Sequence, residues 1–97
     1  MKHFLMELTY TAAIEQIDAA VVEHRAFLQK GFDAGMLLMS GPQNPRTGGV
    51  ILGRAESLEI IRDFMLQDPF NVKSLATYRF VEFSPVKMQP FMKDWIG

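Results

Sequence analysis

Segments with two different hydrophobic periods alternate along this chain of 97 residues, and their order constrains the fold more than any other feature of the sequence. Four segments have the short length of β-strands and either alternate in polarity or are apolar throughout: 3–10, 36–41, 50–54 and 76–83. Two others, 13–34 and 58–67, repeat apolar residues every three or four positions, which is typical of amphipathic helices. The sequence therefore predicts the order β-α-β-β-α-β.

This order predicts an α+β fold of the ferredoxin-like type, a four-stranded antiparallel sheet with two helices on one face. The other face of the sheet also carries apolar side chains, among them Leu5, Val81 and Phe83. A second copy of the chain is the simplest partner that would bury such a face. We therefore expect a homodimer formed through the sheet, and higher oligomers are left open. We expect one domain over 1–97, in which 86–97 is a C-terminal extension.

Composition disfavours several classes of function. The formal net charge is −1 with basic and acidic residues dispersed, so nucleic acid and anionic membrane surfaces are poor partners. No apolar run approaches the length of a membrane span, and the start of the chain alternates in polarity and carries Glu7, unlike a signal peptide, so we expect a cytoplasmic protein. The absence of cysteine excludes disulfides and thiolate chemistry.

His24 stands out because it lies on the apolar stripe of the first predicted helix, in the series Ile14, Ile17, Val21, His24 and Leu28. The ring should therefore face whatever this helix packs on. By itself, such a histidine is more often a hydrogen-bonded core residue than a catalyst. The decisive question is which group bonds its ring nitrogens.

Asp68 is the candidate partner, because Pro69 ends the second predicted helix there, on the side of the sheet where the first helix lies. A carboxylate bonded to one ring nitrogen would fix the tautomer and raise the basicity of the other nitrogen, as in a base held by an orienting group. The alternative is a turn residue whose side chain bonds its own backbone. The residues alone leave the two interpretations about equal.

Other chemistry has weaker support. The two histidines, His3 and His24, lie on different elements without metal-ligand spacing, and we expect His3 to be an exposed strand residue. The loop "GPQNPRTGG" lacks the lysine of a phosphate loop, and Ser40 lacks a nucleophile-elbow motif. Arg46 and Arg54 are candidates for binding an anionic substrate, although single arginines usually serve surface solvation.

Three segments, "EHRAFLQKGFDAGMLLMSGP", "GGVILGRAESLEIIRDFMLQDPF" and "VEFSP", together resemble the YciI-like family of the dimeric α/β-barrel, ferredoxin-like superfamily. The likeness covers about residues 3 to 85. It implies a histidine and an aspartate facing each other in a cleft, roles that map onto His24 and Asp68, with Gly41 and Pro42 shaping the wall. The characterised relative is similar to a dehydrochlorinase of a chlorinated hydroxyquinol, and muconolactone isomerases share the fold.

The resemblance adds to the residue pattern and leads to two hypotheses. The first is a cofactor-independent lyase or isomerase in which His24 and Asp68 perform acid–base chemistry on a small cyclic or aromatic oxygenated substrate, with Gly41, Pro42 and Arg54 binding it. This acid–base chemistry requires no metal and no cofactor. The second is a non-catalytic ligand-binding or dimerisation module in which the same pair is structural. The tail after Pro85 departs from the family pattern and would pack on a partner or cover the cleft.

Overall fold

A computed structural model describes residues 1–97 and confirms the predicted order of elements. The strands are β1 (Lys2–Tyr10), β2 (Leu37–Pro42), β3 (Gly48–Ala55) and β4 (Ala76–Phe83). The helices are α1 (Ile14–Asp33), α2 (Leu58–Met65), the short α3 (Pro69–Val72) and, after a 3-10 turn at Pro90–Met92, α4 (Lys93–Ile96). The helix predicted over 58–67 thus ends two residues earlier, and one extra turn of helix follows it.

The strands form one antiparallel sheet in the order β2-β3-β1-β4, which is the ferredoxin-like topology. Alternation along the central strand β1 sends Phe4, Met6 and Leu8 toward the helices, where all three are buried. The other face, which we call the outer face, carries Leu5 opposite Leu52 of β3. The helix-facing side therefore holds the core, as the pattern predicted.

Helix α1 packs the predicted stripe against the sheet. Ile17 and Leu28 are buried, and His24 lies between them with most of its side chain covered. Ile14 is the exception: it is 38% exposed because it begins the helix, where no turn precedes it to bring it over the core. The helix ends in a turn at Gly35, whose φ of +72° is the left-handed conformation that glycine adopts without steric cost.

Local sequence signals around α2 and α3 determine the position of Asp68. The Ser57 hydroxyl caps α2 by accepting a hydrogen bond from the Ile60 amide, at 3.2 Å. After α2 ends, Asp68 begins the next helix, with Pro69 in the first turn, where a missing amide hydrogen costs nothing. Helix α3 contacts α1, so the chain brings the Asp68 side chain to the flank of the helix that carries His24.

The C-terminal residues dock on the outer face. The His3 ring hydrogen-bonds the Ile96 carbonyl through Nε2, at 3.2 Å, and His3 is only 6% exposed. The expectation of an exposed His3 was therefore wrong, because α4 covers it. None of the helices combines the length and the hydrophobicity that a membrane-spanning helix requires.

Candidate active site

His24 and Asp68 meet, although 44 residues separate them in sequence. The Nδ1 atom of His24 lies 2.8 Å from Oδ1 and 2.9 Å from Oδ2 of Asp68. An ionised carboxylate only accepts hydrogen bonds, so Nδ1 carries the proton and the tautomer is fixed. The pairing predicted from the helix stripe and the helix break is present in the structure.

Asp68 is fully buried and each of its oxygens has a further donor. Oδ1 accepts the Phe70 amide at 3.0 Å, and Oδ2 accepts the Tyr78 hydroxyl at 2.6 Å. Asp68 therefore serves both as the helix-capping residue and as the partner of His24, so the two alternatives left open by the sequence coexist. Three donors surround this one carboxylate and hold it rigid where solvent does not reach it.

The His24 ring is held by stacking as well as by hydrogen bonding. It lies over the Phe70 ring with centroids 3.9 Å apart and planes 4° from parallel. Its Nε2 atom has no hydrogen-bond partner within the chain, and no buried side-chain nitrogen or oxygen lacks a partner, so Nε2 is accessible. A ring that is fixed through one nitrogen and leaves the other nitrogen free has the geometry of a general base.

A cavity of about 320 Å³ lies beside this ring, between α1, the β2–β3 hairpin and the sheet. Its apolar lining comes from α1, the sheet and the ring under His24: Leu8, Val21, Leu28, Val50, Ile51 and Phe70. Small-ligand sites are typically concave, largely apolar and a few hundred cubic ångströms in volume. His24 lines the cavity, and Nε2 is the ring nitrogen left for a bound molecule.

Of the three residues predicted to bind substrate, two lie in this cavity. Gly41 and Pro42, at the end of β2, form part of its wall. Arg54 does not, because the alternation of β3 directs it to the outer face, opposite His3. There its guanidinium donates to the carbonyls of Gly35, at 3.0 Å, and Trp95, at 2.6 Å. We correct the assignment of Arg54 accordingly: it anchors the C-terminal segment.

The extension 86–97 is likewise away from the cavity, which none of its residues lines. The Arg54 guanidinium lies over the Trp95 ring, 3.8 Å from its centroid, while Phe91 is 80% exposed. The extension therefore does not cover the cleft within one chain. Packing of Phe91 on a partner subunit stays a prediction.

Two other arginines border the cavity, Arg25 of α1 and Arg46 of the β2–β3 loop. Arg46 forms an ion pair with Asp18, with 2.7 Å between Nη2 and Oδ1. Hydrogen bonding to the Asp18 side chain, and then to that of Tyr10, raises the pKa of the Arg46 guanidinium above its ordinary value. No carboxylate lies within 4.0 Å of the Arg25 guanidinium.

Sequence reasoning missed Tyr78, the third donor to the network, and Arg25. Tyr78 lies on the helix-facing side of β4, beside Leu8 in the register, and a hydroxyl on a buried face requires a hydrogen-bond partner. That requirement was the available signal. Nothing in the sequence marks Arg25, which follows His24 directly and lines the cavity from α1.

Burial, followed by the hydrogen bond to Asp68, raises the pKa of Tyr78 far above its ordinary value of 10.0. Folded Tyr78 thus keeps its proton at a pH where the unfolded chain loses it. This contribution to stability is complete below about pH 10 and declines as the pH rises further. We expect the urea midpoint to fall as the pH rises from about 10 to about 11, and the fall to be smaller in Tyr78→Phe. Tyr10→Phe is the matched control, and an equal effect of both substitutions would contradict the assignment.

No group of three or more histidine, aspartate or glutamate side chains is arranged to hold a metal ion. The polar groups that face the cavity are instead a base, two guanidiniums and the hydroxyls of Tyr10 and Ser40. Such a set can move protons and bind an oxygenated molecule.

The architecture and the buried pair define a class of small ferredoxin-like α+β proteins with a His–Asp pair beside a cavity. The chain belongs to the YCII-related domain family, which matches residues 1–84. The resemblance drawn from the three sequence segments is thus confirmed. Residues 85–97 lie outside the matched range.

A solved structure with the same fold is 5-chloro-2-hydroxyhydroquinone dehydrochlorinase from Burkholderia phenoliruptrix AC1100, in complex with 2,5-dihydroxybenzoquinone. The two chains share 20% sequence identity with a TM-score of 0.68, over 84% of this chain and 90% of that chain. The similarity confirms the fold. No curated protein matches the chain.

Proposed function

We propose that this protein is a cofactor-independent acid–base enzyme acting on a small cyclic or aromatic oxygenated molecule. In this proposal, His24 is the proton acceptor and donor, and Asp68 orients its ring. The reaction class is elimination, such as dehydrochlorination, or isomerisation. The observation that carries the proposal is a histidine whose Nδ1 is bound to a fully buried carboxylate while its Nε2 is free beside a cavity of about 320 Å³.

The chemistry needs only a proton and an electron pair to move. Nε2 of His24 takes a proton from a substrate hydroxyl or an activated carbon, and the electron pair left behind forms a new π bond. In elimination, a leaving group departs with its own bonding pair, so the products are the unsaturated molecule and the conjugate acid of the leaving group. In isomerisation, Nε2 returns the proton to a different atom. General acid–base help of this kind contributes about 10²- to 10⁴-fold in rate.

Asp68 supports both directions of transfer. Its negative charge lies beside the positive charge that forms on the ring when Nε2 takes a proton, and its bond to Nδ1 keeps the ring from turning. Phe70 and Tyr78 keep the carboxylate in place. The apolar lining of the cavity limits water around Nε2, which strengthens these electrostatic interactions.

The structural neighbour supports the choice of substrate class. That protein is a dehydrochlorinase crystallised with a dihydroxylated quinone, and it has the same fold. An oxygenated six-membered ring is compatible with the cavity here, because an engineered cavity of about 150 Å³ is enough to hold benzene. The neighbour's dehydrochlorination is the first reaction to test. Cyclic enols and lactones are tested as well, because they can undergo the same acid–base chemistry.

Homodimerisation through the outer face belongs to this proposal. Leu5, Leu52 and Val81 lie side by side on that face and are only half-buried within one chain. The cavity is on the opposite, helix-covered side, so such a dimer leaves it open. The alternative, a non-catalytic ligand-binding or dimerisation module, has the same pair in a structural role.

The test measures proton transfer directly. Chlorinated hydroquinones are assayed for chloride release, and cyclic enols and lactones for exchange of carbon-bound hydrogen in D₂O. We expect one member to react, and His24→Gln to lower its rate by about 10²- to 10⁴-fold because the base is lost. His3→Gln is the matched control, since His3 lies on the outer face against Ile96. A rate unchanged in His24→Gln would contradict the proposal and favour the non-catalytic module.

A further inference from the structure

The charged side chains that line the cavity are all positive. Arg25 and Arg46 both line it, whereas no aspartate or glutamate does. Asp68 is screened behind His24, with no exposure of its own. A bound molecule therefore meets two guanidiniums, hydroxyl groups and apolar walls, and no carboxylate.

The two arginines differ in what already binds them. Arg25 is exposed and has no carboxylate within 4.0 Å, so its guanidinium forms no ion pair within the chain. Arg46 is paired with Asp18, but the pair is open to solvent, with the side chains 38% and 56% exposed. Exposed pairs of this kind are weak, and a guanidinium has five N–H donors, so Arg46 retains donors for a second anion.

We propose that the cavity selects a small organic anion, a planar ring carrying a carboxylate or an equivalent acidic oxygen, whose charged group is bound by Arg25 and Arg46. The inference rests on the proposed function for the position of the substrate and adds its charge class. The ring lies among the apolar walls next to His24, and the anionic group lies toward α1 and the β2–β3 loop. Planar, forked guanidinium donors match the two oxygens of a carboxylate.

The experiment compares 4-hydroxybenzoate with 4-hydroxybenzamide, which have nearly the same shape but differ in charge. Binding is followed by NMR through the His24 ring, with the His3 ring as an internal reference on the opposite face. We expect the acid to bind at least about tenfold more tightly than the amide at low salt, and the ratio to shrink as salt is added.

Variants assign the preference to the two arginines. Arg25→Gln and Arg46→Gln should each lower the acid-to-amide affinity ratio by about three- to tenfold, and Asp18→Asn should raise it because it releases Arg46. Arg62→Gln is the matched control: Arg62 is an exposed helix arginine that does not line the cavity. Equal affinities for acid and amide, no binding of either, or a preference that survives Arg25→Gln/Arg46→Gln would each overturn the inference.

Failure of the inference is distinguishable from failure of the proposed function. In His24→Gln, where proton transfer is lost, the acid-to-amide ratio should remain because the arginines are intact; the Phe70 ring then reports binding. If the acid and the amide bind equally while His24→Gln still abolishes turnover of another substrate, the charge class is wrong and the acid–base mechanism stands. If His24→Gln leaves turnover unchanged while the ratio persists, the mechanism is wrong and the anion site stands.

Discussion

Asp68→Asn is expected to lower the rate of proton transfer by about 10²- to 10⁴-fold while the chain stays folded. The amide has nearly the volume of the carboxylate but lacks the negative charge that offsets the charge formed on the His24 ring. All three neighbours of Asp68 donate hydrogen bonds to the carboxylate. The NH₂ group of the asparagine is itself a donor, so it cannot accept a hydrogen bond from any of them. The base is thus weakened even where the ring keeps its place.

The measurement combines turnover of the substrate found in the panel with ¹⁵N chemical shifts of the histidine rings, which report the tautomer. In the unmodified protein the neutral His24 ring should carry its proton on Nδ1. Asp63→Asn, which removes an exposed carboxylate on α2, is the control for the change in net charge. A rate equal to that of the unmodified protein would mean that Asp68 has no part in the chemistry.

The sequence predicted the parts of the site that depend on local pattern. Apolar spacing placed His24 on the buried stripe of α1, and the helix break at Pro69 placed Asp68 at a chain turn beside it. Both follow from short-range sterics and periodicity, which a single sequence contains. That the two side chains meet follows from the order of the elements, because both helices lie on one face of the sheet.

Three other features were missed, two of them because they depend on long-range packing. Arg54 was assigned to the site although the alternation of β3 already directs it to the outer face. His3 was expected to be exposed because the proline-broken tail gives no periodic signal that α4 would dock on it. Tyr78 joins the network only through the pairing of β4 with β1, so its role emerges with the sheet register.

His24→Phe is expected to lower the free energy of unfolding by about 3 kcal/mol, because it leaves a buried carboxylate without one of its three partners. The aromatic ring can still stack on Phe70, so the loss reports mainly on Asp68. Urea unfolding measures it. Lys73→Met is the matched control: it breaks an exposed ion pair with Glu23 between the same two helices, and exposed pairs contribute at most about 1 kcal/mol.

The double variant His24→Phe/Asp68→Asn separates the cost of the buried charge from the loss of packing. If the uncompensated charge is the cause, removing it together with its partner restores part of the lost stability, and the double variant is more stable than His24→Phe alone. A double variant no more stable than His24→Phe would show that the loss comes from packing of the ring. The pair would then contribute little to stability, and the buried Asp68 would be explained by the proton chemistry at Nε2 rather than by the fold.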